Sequence, residues 1–355
     1  MRATIVTYPD EFARREIQEL ARAGGYSVEA VVTQKQVIKS GYGVGVGKAQ
    51  ELFELVSDNG SDTLIIDESL SSSQANNLAK VTHVEVIDRE RLILNIFALR
   101  ATTTEAKLQV QLAELRYEMP RARDVVRYSV KGERAGFSGM GETAVDVRFR
   151  ALKHRMATIR SKLASAESSR TVRRKERMKL GEPLVSFAGY TSSGKTTLFN
   201  RLASETKEES PNLFTTLTTT TRAITIPGSK RRVMLSDTVG FISRLPTYLV
   251  ESFKSTLEEL TYADLVLLVV DASETTQSIR IKFDSCKDIM GQLGVDPKKT
   301  LLVLNKMDLA HGRTDAAVPD DLFEGFSTVK TSATRGDGMR QLRNRIFELT
   351  SESGA

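Results

Sequence analysis

The run "GYTSSGKT", Gly189 to Thr196, constrains this chain more than any other stretch. It fits the phosphate-loop pattern G-x-x-x-x-G-K-[ST], with the apolar "PLVSF" before it and "TTLFNRLAS" after it. That order is a strand, a glycine-rich turn and a helix, so the segment demands an α/β sheet around it. Glycines let the backbone wrap phosphates, the N–H groups and the helix N-terminus supply positive potential, and Lys195 can bridge the β- and γ-phosphates. The Thr196 hydroxyl is placed for Mg²⁺. Gly189, Tyr190, Thr191, Ser192, Ser193, Gly194, Lys195, Thr196 and Thr197 are therefore the expected phosphate-binding residues.

Two later motifs specify the base. "NKMD", Asn305 to Asp308, follows the apolar "TLLVL". A carboxylate at Asp308 can accept two hydrogen bonds from a guanine edge, whereas adenine leaves it unpaired. Discrimination of this polar kind reaches about 10⁴ to 10⁵. Lys306 can cover the base. "TSAT", Thr331 to Thr334, follows the next apolar run and offers backbone contacts from Ser332, Ala333 and Thr334.

Between phosphate loop and base motifs lie two segments suited to sensing a γ-phosphate. "NLFTTLTTTTRAI" crowds six threonines together, and the residues alone do not choose among them. "LSDTVGFISRLP" ends a strand at Asp237, which can hold Mg²⁺ through water, and places the Gly240 N–H toward the γ-phosphate. Many nucleotide-hydrolysing switches carry a glutamine directly after such a glycine, to orient the attacking water. Here that position is Phe241, so the missing orientation has to come from elsewhere.

Around these motifs the chain alternates strands and helices twice. Residues 1 to 90 read as a small α/β domain with a mainly parallel sheet, from "ATIVTYP" through "VEVID". Residues 181 to 355 read as a second α/β domain holding the phosphate loop. Between them the period changes. Leu108, Leu112, Leu115 and Met119, and likewise Val145, Phe149, Leu152, Met156, Ile159 and Leu163, recur in fours and threes. Those are the seams of two helices packed as an antiparallel hairpin over 91 to 180. The stretch "PRARDVVRYSVKGERAGFSGMGE" forms its basic, glycine-rich tip, beginning at Pro120.

The charge supports a polyanion partner for that hairpin. The chain carries 51 Lys and Arg against 45 Asp and Glu, a net +6. Residues 148 to 179 hold twelve of the basic residues against only Glu167 and Glu176, and without them 39 basic residues face 43 acidic ones, a net −4. A local basic stripe is the footprint of nucleic acid. With one cysteine, Cys286, no internal disulfide is available, and the longest apolar run falls far short of the roughly 20 residues that cross a bilayer. Charged residues interrupt the N-terminus too early for a signal-peptide core, so a cytoplasmic protein is expected.

Together, "GYTSSGKTTLFN", "LFTTL", "DTVGFISRLPTYLVESFKSTLEE", "NKMD" and "SA" resemble the successive nucleotide motifs of the HflX GTPases. "VGKAQEL", "LQVQLAELRYEMPR" and "GMGET" resemble that family's N-terminal segments. The resemblance implies that Thr216 in "FTTL" is the second Mg²⁺-binding threonine beside Thr196, within a switch of Phe214, Thr215, Thr216, Leu217 and Thr218, with Asp237, Thr238, Val239 and Gly240 forming the other switch. It implies GTP hydrolysis to GDP and phosphate with Lys195, Thr216 and Gly240 at the reaction, slow alone and stimulated by a partner. It further implies a monomer on the large ribosomal subunit and its rRNA, in a family some of whose members separate stalled ribosomes. Two positions depart from the pattern. Ser192 stands where asparagine is common, at a place linked to potassium stimulation in related GTPases, and "GMGETAV" replaces a G-P-G-E-T-Q stretch. In the first domain "GYGVGVGKAQ" lacks the glycine spacing of a second phosphate loop, and Ala49 replaces its Ser or Thr. A turn before a helix is expected there. The alternative reading is an RNA-binding protein or RNA remodeller whose nucleotide is regulatory or structural.

Overall fold

The computed structural model describes residues 1–35, 41–132, 138–204, 213–214, 219–225, 231–310 and 320–352, with side chains described for all of these except 123–146, 173, 178, 320 and 321. Contacts group the chain into two units. One comprises Met1–Leu99 and Lys107–Leu163, the other Arg100–Ala106 and Ala164–Ala355.

The first unit begins with β1 (Arg2–Thr7), α1 (Glu11–Ala23), β2 (Ser27–Thr33), α2 (Val46–Asn59), β3 (Thr63–Ile66), α3 (Ser72–Thr82) and β4 (Glu85–Asp88). All four strands are parallel, in the order β2-β1-β3-β4. Both faces of the sheet are covered, so burial runs unbroken from Ala3 to Thr7 in β1 and through all of β3. Local signals fix the helix starts: the Asp10 side chain accepts the Ala13 N–H at 2.8 Å, and Ser71 and Gln74 form a capping box. The glycines after Gly41 form the expected turn, and α2 follows from Val46.

Three long helices follow: α4 (Arg89–Arg100), α5 (Thr104–Gly132) and α6 (Ser138–Lys179). The seam residues Leu108, Leu112, Leu115, Met119, Leu152, Met156, Ile159 and Leu163 gather into one cluster. Two features depart from the sequence reading. α4 was not legible, because "RERLILNIFALR" is apolar on most faces and buries Leu92, Ile93, Leu94, Ile96 and Phe97 with no amphipathic period. The tip does not start at Pro120, which lies inside α5. A proline there removes one helix hydrogen bond, and tertiary anchoring carries the helix past it. Arg121 donates to the Leu70 carbonyl at 2.7 Å and to the Asp88 carboxylate, and it stacks 3.4 Å over the Tyr117 ring, whose hydroxyl donates to Asp88 at 3.1 Å. Burial and the Asp88 carboxylate raise the Tyr117 pKa.

The second unit carries β5 (Leu184–Gly189), α7 (Lys195–Ala203), β6 (Thr220–Thr225), β7 (Arg232–Asp237), α8 (Thr247–Ser252), α9 (Lys254–Thr261), β8 (Leu265–Asp271), α10 (Thr276–Gln292), β9 (Thr300–Asn305), α11 (Met307–Ala310), β10 (Ser327–Lys330) and α12 (Met339–Glu352). Its sheet runs β10-β9-β8-β5-β7-β6, parallel except for β6. Strand order reverses between β5 and β8, so ligands belong in the crevice beyond the carboxyl ends of those strands. The core beneath holds Phe187, Phe199, Leu267 and Val303, with Phe187 and Phe199 edge to face at 6.0 Å. Among the described residues no helix is long and apolar enough to cross a membrane.

Candidate nucleotide site

The described residues of the phosphate loop, of Asp237–Gly240 and of the two base motifs lie at or just past the carboxyl ends of β5, β7, β9 and β10. Gly189 closes β5, the turn runs through Tyr190, Thr191, Ser192, Ser193 and Gly194, and Lys195, Thr196 and Thr197 form the first turn of α7. Gly194 has φ 92°, and a Cβ there would collide with the Asn305 side-chain amide. Glycine alone satisfies both demands.

Lys195 is buried. Its Nζ donates to the Gly189 carbonyl at 3.0 Å and the Tyr190 carbonyl at 2.7 Å, which aims the ammonium across the turn. Burial pulls its pKa down to about 8, against the opposing pull of Asp237. The Thr196 hydroxyl donates to Asp237 Oδ2 at 2.9 Å, so a hydroxyl and a strand-end carboxylate share one spot. Such oxygen donors suit a hard divalent cation. Of the threonine-rich switch, Phe214 is buried with φ 56°, whereas Thr215, Thr216, Leu217 and Thr218 lie outside the described residues.

The second switch lies against the phosphate loop. Thr238 donates to the Phe187 carbonyl, and the Phe241 N–H donates to the Gly189 carbonyl at 3.0 Å. The Phe241 carbonyl accepts the Thr191 N–H at 2.8 Å, which makes Tyr190 and Phe241 a parallel bridge. Beyond it the Ser243 N–H donates to the Tyr190 hydroxyl at 2.6 Å. The Phe241 side chain is 1% exposed, so it packs inside the domain and faces no solvent. A Cβ on Gly240 would sit 2.9 Å from Thr191 Cγ2 and 3.1 Å from Lys195 Nζ. The switch therefore closes over the lysine.

At the base end, Asn305 works as a staple. Its Nδ2 donates to the Ser193 carbonyl at 3.0 Å, and its Oδ1 accepts the Ala333 N–H at 3.1 Å and the Thr331 hydroxyl at 3.2 Å. One buried amide thus joins the phosphate loop to the Thr331–Thr334 turn. The Ser332 hydroxyl holds the Asp308 carboxyl below the usual carboxylate range, and Arg335 Nε lies 4.0 Å from Asp308 Oδ2. Two participants escaped the sequence reading. Asp271, which ends β8, pairs with Lys306 at 2.6 Å, and its place after "LVLLVV" was a usable signal. Arg335 carried no motif signal, and neither did the bond from the Ser243 N–H to the hydroxyl of Tyr190, a residue expected only for its backbone.

Three profiles of known families match the chain in order: "GTP-binding GTPase N-terminal" over residues 12–98, "GTP-binding GTPase Middle Region" over 100–177 and "50S ribosome-binding GTPase" over 184–306. The chain is 44% identical over 300 residues to a GTPase HflX of Thermococcus kodakarensis, spanning 84% of this chain and 67% of the relative. It is 36% identical over 361 residues to the GTPase HflX of Hyperthermus butylicus, spanning 98% and 95% of the two chains. A crystal structure of SsGBP with GDP superposes with a TM-score of 0.53 at 27% identity, covering 100% of this chain and 99% of that one.

Proposed function

This chain belongs to the HflX family of GTPases, and from that premise we propose that it is a GTP-driven switch acting on the large ribosomal subunit through its basic helical segment. GTP hydrolysis follows from the family and its phosphate-loop domain. The ribosomal partner is our reading. One observation carries it: Arg148, Arg150, Lys153, Arg155, Arg160 and Lys162 lie exposed along α6, while the seam Leu152, Met156, Ile159 and Leu163 takes the opposite role in the hairpin cluster. A helix with one apolar seam and a cationic face is suited to an RNA backbone. The division at residues 90 and 180 belongs to the same proposal, with the first two segments binding and the third switching.

In the site we assign phosphate binding to the Gly189–Thr197 turn and guanine recognition to Asn305, Lys306 and Asp308, with Ser332, Ala333 and Thr334 supporting the base. Thr196, Asp237 and, outside the described residues, Thr216 are the groups to hold Mg²⁺. When bound, that ion neutralises charge on the β- and γ-phosphates. Lys195 is held at the phosphate loop by two carbonyls, with its ammonium already placed at the turn that would take the phosphates. Phe241 offers no hydrogen bond to water, so the free enzyme turns over slowly and the docked partner completes the site. We further assign a cytoplasmic monomer.

The test is cosedimentation of the full chain with purified 50S subunits in a GTP analogue and in GDP. Binding in the analogue that weakens steeply with salt is expected, since released counterions drive phosphate contacts. No nucleotide-dependent binding to any ribosomal particle would turn the reading toward a free RNA partner.

A further inference from the structure

The basic run at the end of α6 is not a uniform solvated stripe. Arg170 lies partly buried: one guanidinium nitrogen donates to the Ser255 carbonyl in the first turn of α9, the other to the Glu105 carboxylate. The Ser255 hydroxyl closes the triangle by donating to Glu105 at 3.3 Å. One turn on, the Arg174 guanidinium stacks 3.3 Å over the Tyr262 ring, at the end of α9. The two arginines therefore grip both ends of one short helix.

That helix is joined to the nucleotide switch by a short chain. Its inner face is fixed to the sheet, where the Ser186 hydroxyl on β5 donates to the Glu259 carbonyl at 2.9 Å. Its N-terminal side runs through α8 to Pro246 and so to Ser243 and Phe241, both bonded to the phosphate loop. Gly240 packs closely against Thr191 and Lys195, so a γ-phosphate held by Lys195 arrives directly beside the segment that begins there. At its other side α9 is held by the sheet and by α6.

We propose that Arg170 and Arg174 are positioning residues that clamp α9 and pass the γ-phosphate state of the nucleotide site to α6. Arg170 suits this because a planar fork holds two acceptors in fixed geometry, which a lysine point charge does not. The coupling runs both ways: if GTP and GDP hold α6 differently, loosening the α6 clamp changes the preference for GTP over GDP. The inference rests on the nucleotide-switch half of the proposed function and not on the ribosomal half.

The experiment therefore omits ribosomes. Amide hydrogen exchange over residues 164–179 is measured in the full chain with GDP and with a non-hydrolysable GTP analogue, alongside the affinities for both. The native chain should exchange differently in the two states. In Arg170→Ala/Arg174→Ala the difference should collapse, and the analogue-to-GDP affinity ratio should change by about fivefold or more, the lower end of ordinary allosteric coupling. GDP affinity itself should hold, and Arg170→Lys should restore only part of the coupling. If the double variant fails to fold, Glu105→Gln and Tyr262→Leu replace it with the same expected loss. A clamp with only a structural role would lower thermal stability and leave the ratio and the exchange difference intact. That result, or identical exchange in the two nucleotides for the native chain, overturns the proposal.

Discussion

The two sheets of this protein present equivalent positions to very different effect. Each is parallel through its centre, each reverses strand order between two central strands, and each sets polar groups at the carboxyl ends there. Beyond β5 and β8, Lys195, Asp237 and Asn305 surround a turn shaped by glycines of positive φ. Beyond β1 and β3, Arg89 donates to Glu16 at 2.6 Å and to Asp67 at 2.8 Å, and the Thr7 hydroxyl donates to Asp67 at 2.6 Å. All three charged groups are at least nine-tenths buried. Topology alone therefore does not make a site. One crevice gathers its polar groups around a glycine-shaped turn that we assign to phosphate, and the other pairs its charges with one another inside the first unit.

The largest effect that could break this contrast is at the base. Asp308→Asn should weaken GDP by up to about 10⁴-fold, near 5.5 kcal/mol, and admit xanthosine diphosphate in competition assays. Lys195→Ala should likewise abolish phosphate-dependent binding. In the first unit Lys48→Ala, in the glycine-rich segment that lacks the spacing of a phosphate loop, should leave GDP affinity where it was. If Lys48→Ala weakened GDP, the two crevices would be more alike than their geometry says.

Next in size is the buried charge cluster. Arg89→Ala strands Glu16 and Asp67 in the core, and breaking a buried ion pair from one side costs about 3 to 5 kcal/mol. Urea unfolding of the full chain should show that loss, with GDP affinity unchanged. A large fall in GDP affinity without a stability loss would make the cluster a ligand site instead.

The contrast also marks what could be read from sequence. Residues 189–196 and 305–308 were legible because their spacing is forced by ligand geometry and their flanks by strand and helix periods. The hairpin seam was legible for the same reason: repeated fours and threes survive in any context. The Arg89 cluster was not, since Glu16, Asp67 and Arg89 are far apart in sequence and each looks like surface charge. Arg170 and Arg174 were counted with the polyanion-binding stripe, and their internal contacts were missed on similar grounds. An arginine in a basic run gives no local sign that it will find Ser255 or Tyr262. Pro120 misled in the opposite direction, because a local helix breaker was outweighed by the Arg121 anchorage to Asp88.

Proton linkage sharpens the comparison further. Free Lys195, with its pKa depressed by burial to about 8, loses its proton as pH rises through that value. A bound phosphate favours the charged form, so the bound pKa lies higher. Affinity for GDP should therefore be flat below about pH 8 and fall above it by up to tenfold per pH unit, until the bound form also deprotonates. Calorimetry in two buffers of different ionisation enthalpy should detect proton uptake on binding at pH 9 and none at pH 6. Absence of uptake at pH 9 would place the ammonium elsewhere than at the phosphates.

The smallest expected effect is at Phe241, where many nucleotide-hydrolysing switches have glutamine. Its ring is buried and its backbone is bridged to Tyr190, so the position acts in packing and not on water. Phe241→Leu keeps an apolar side chain of similar size, and its basal single-turnover hydrolysis should stay within a few-fold of the native rate, since volume-conserving swaps are tolerated best. Phe241→Gln is the sharper probe. If the only thing missing from the free enzyme were a water-orienting amide at this place, the substitution would supply it and accelerate hydrolysis. In the packed geometry described here the amide would instead be buried beneath the phosphate loop, at a cost of about 1 to 3 kcal/mol without a partner, and the rate should not rise. In small GTPases that do carry the glutamine, unassisted hydrolysis runs at ~10⁻⁴ s⁻¹ and a partner adds ~10⁵-fold, so the residue alone does not make a fast enzyme. A hundredfold acceleration by Phe241→Gln alone, with no ribosomal particle present, would show that residue 241 reaches the attacking water after all, and the division between a packing phenylalanine and a partner-completed site would fall with it.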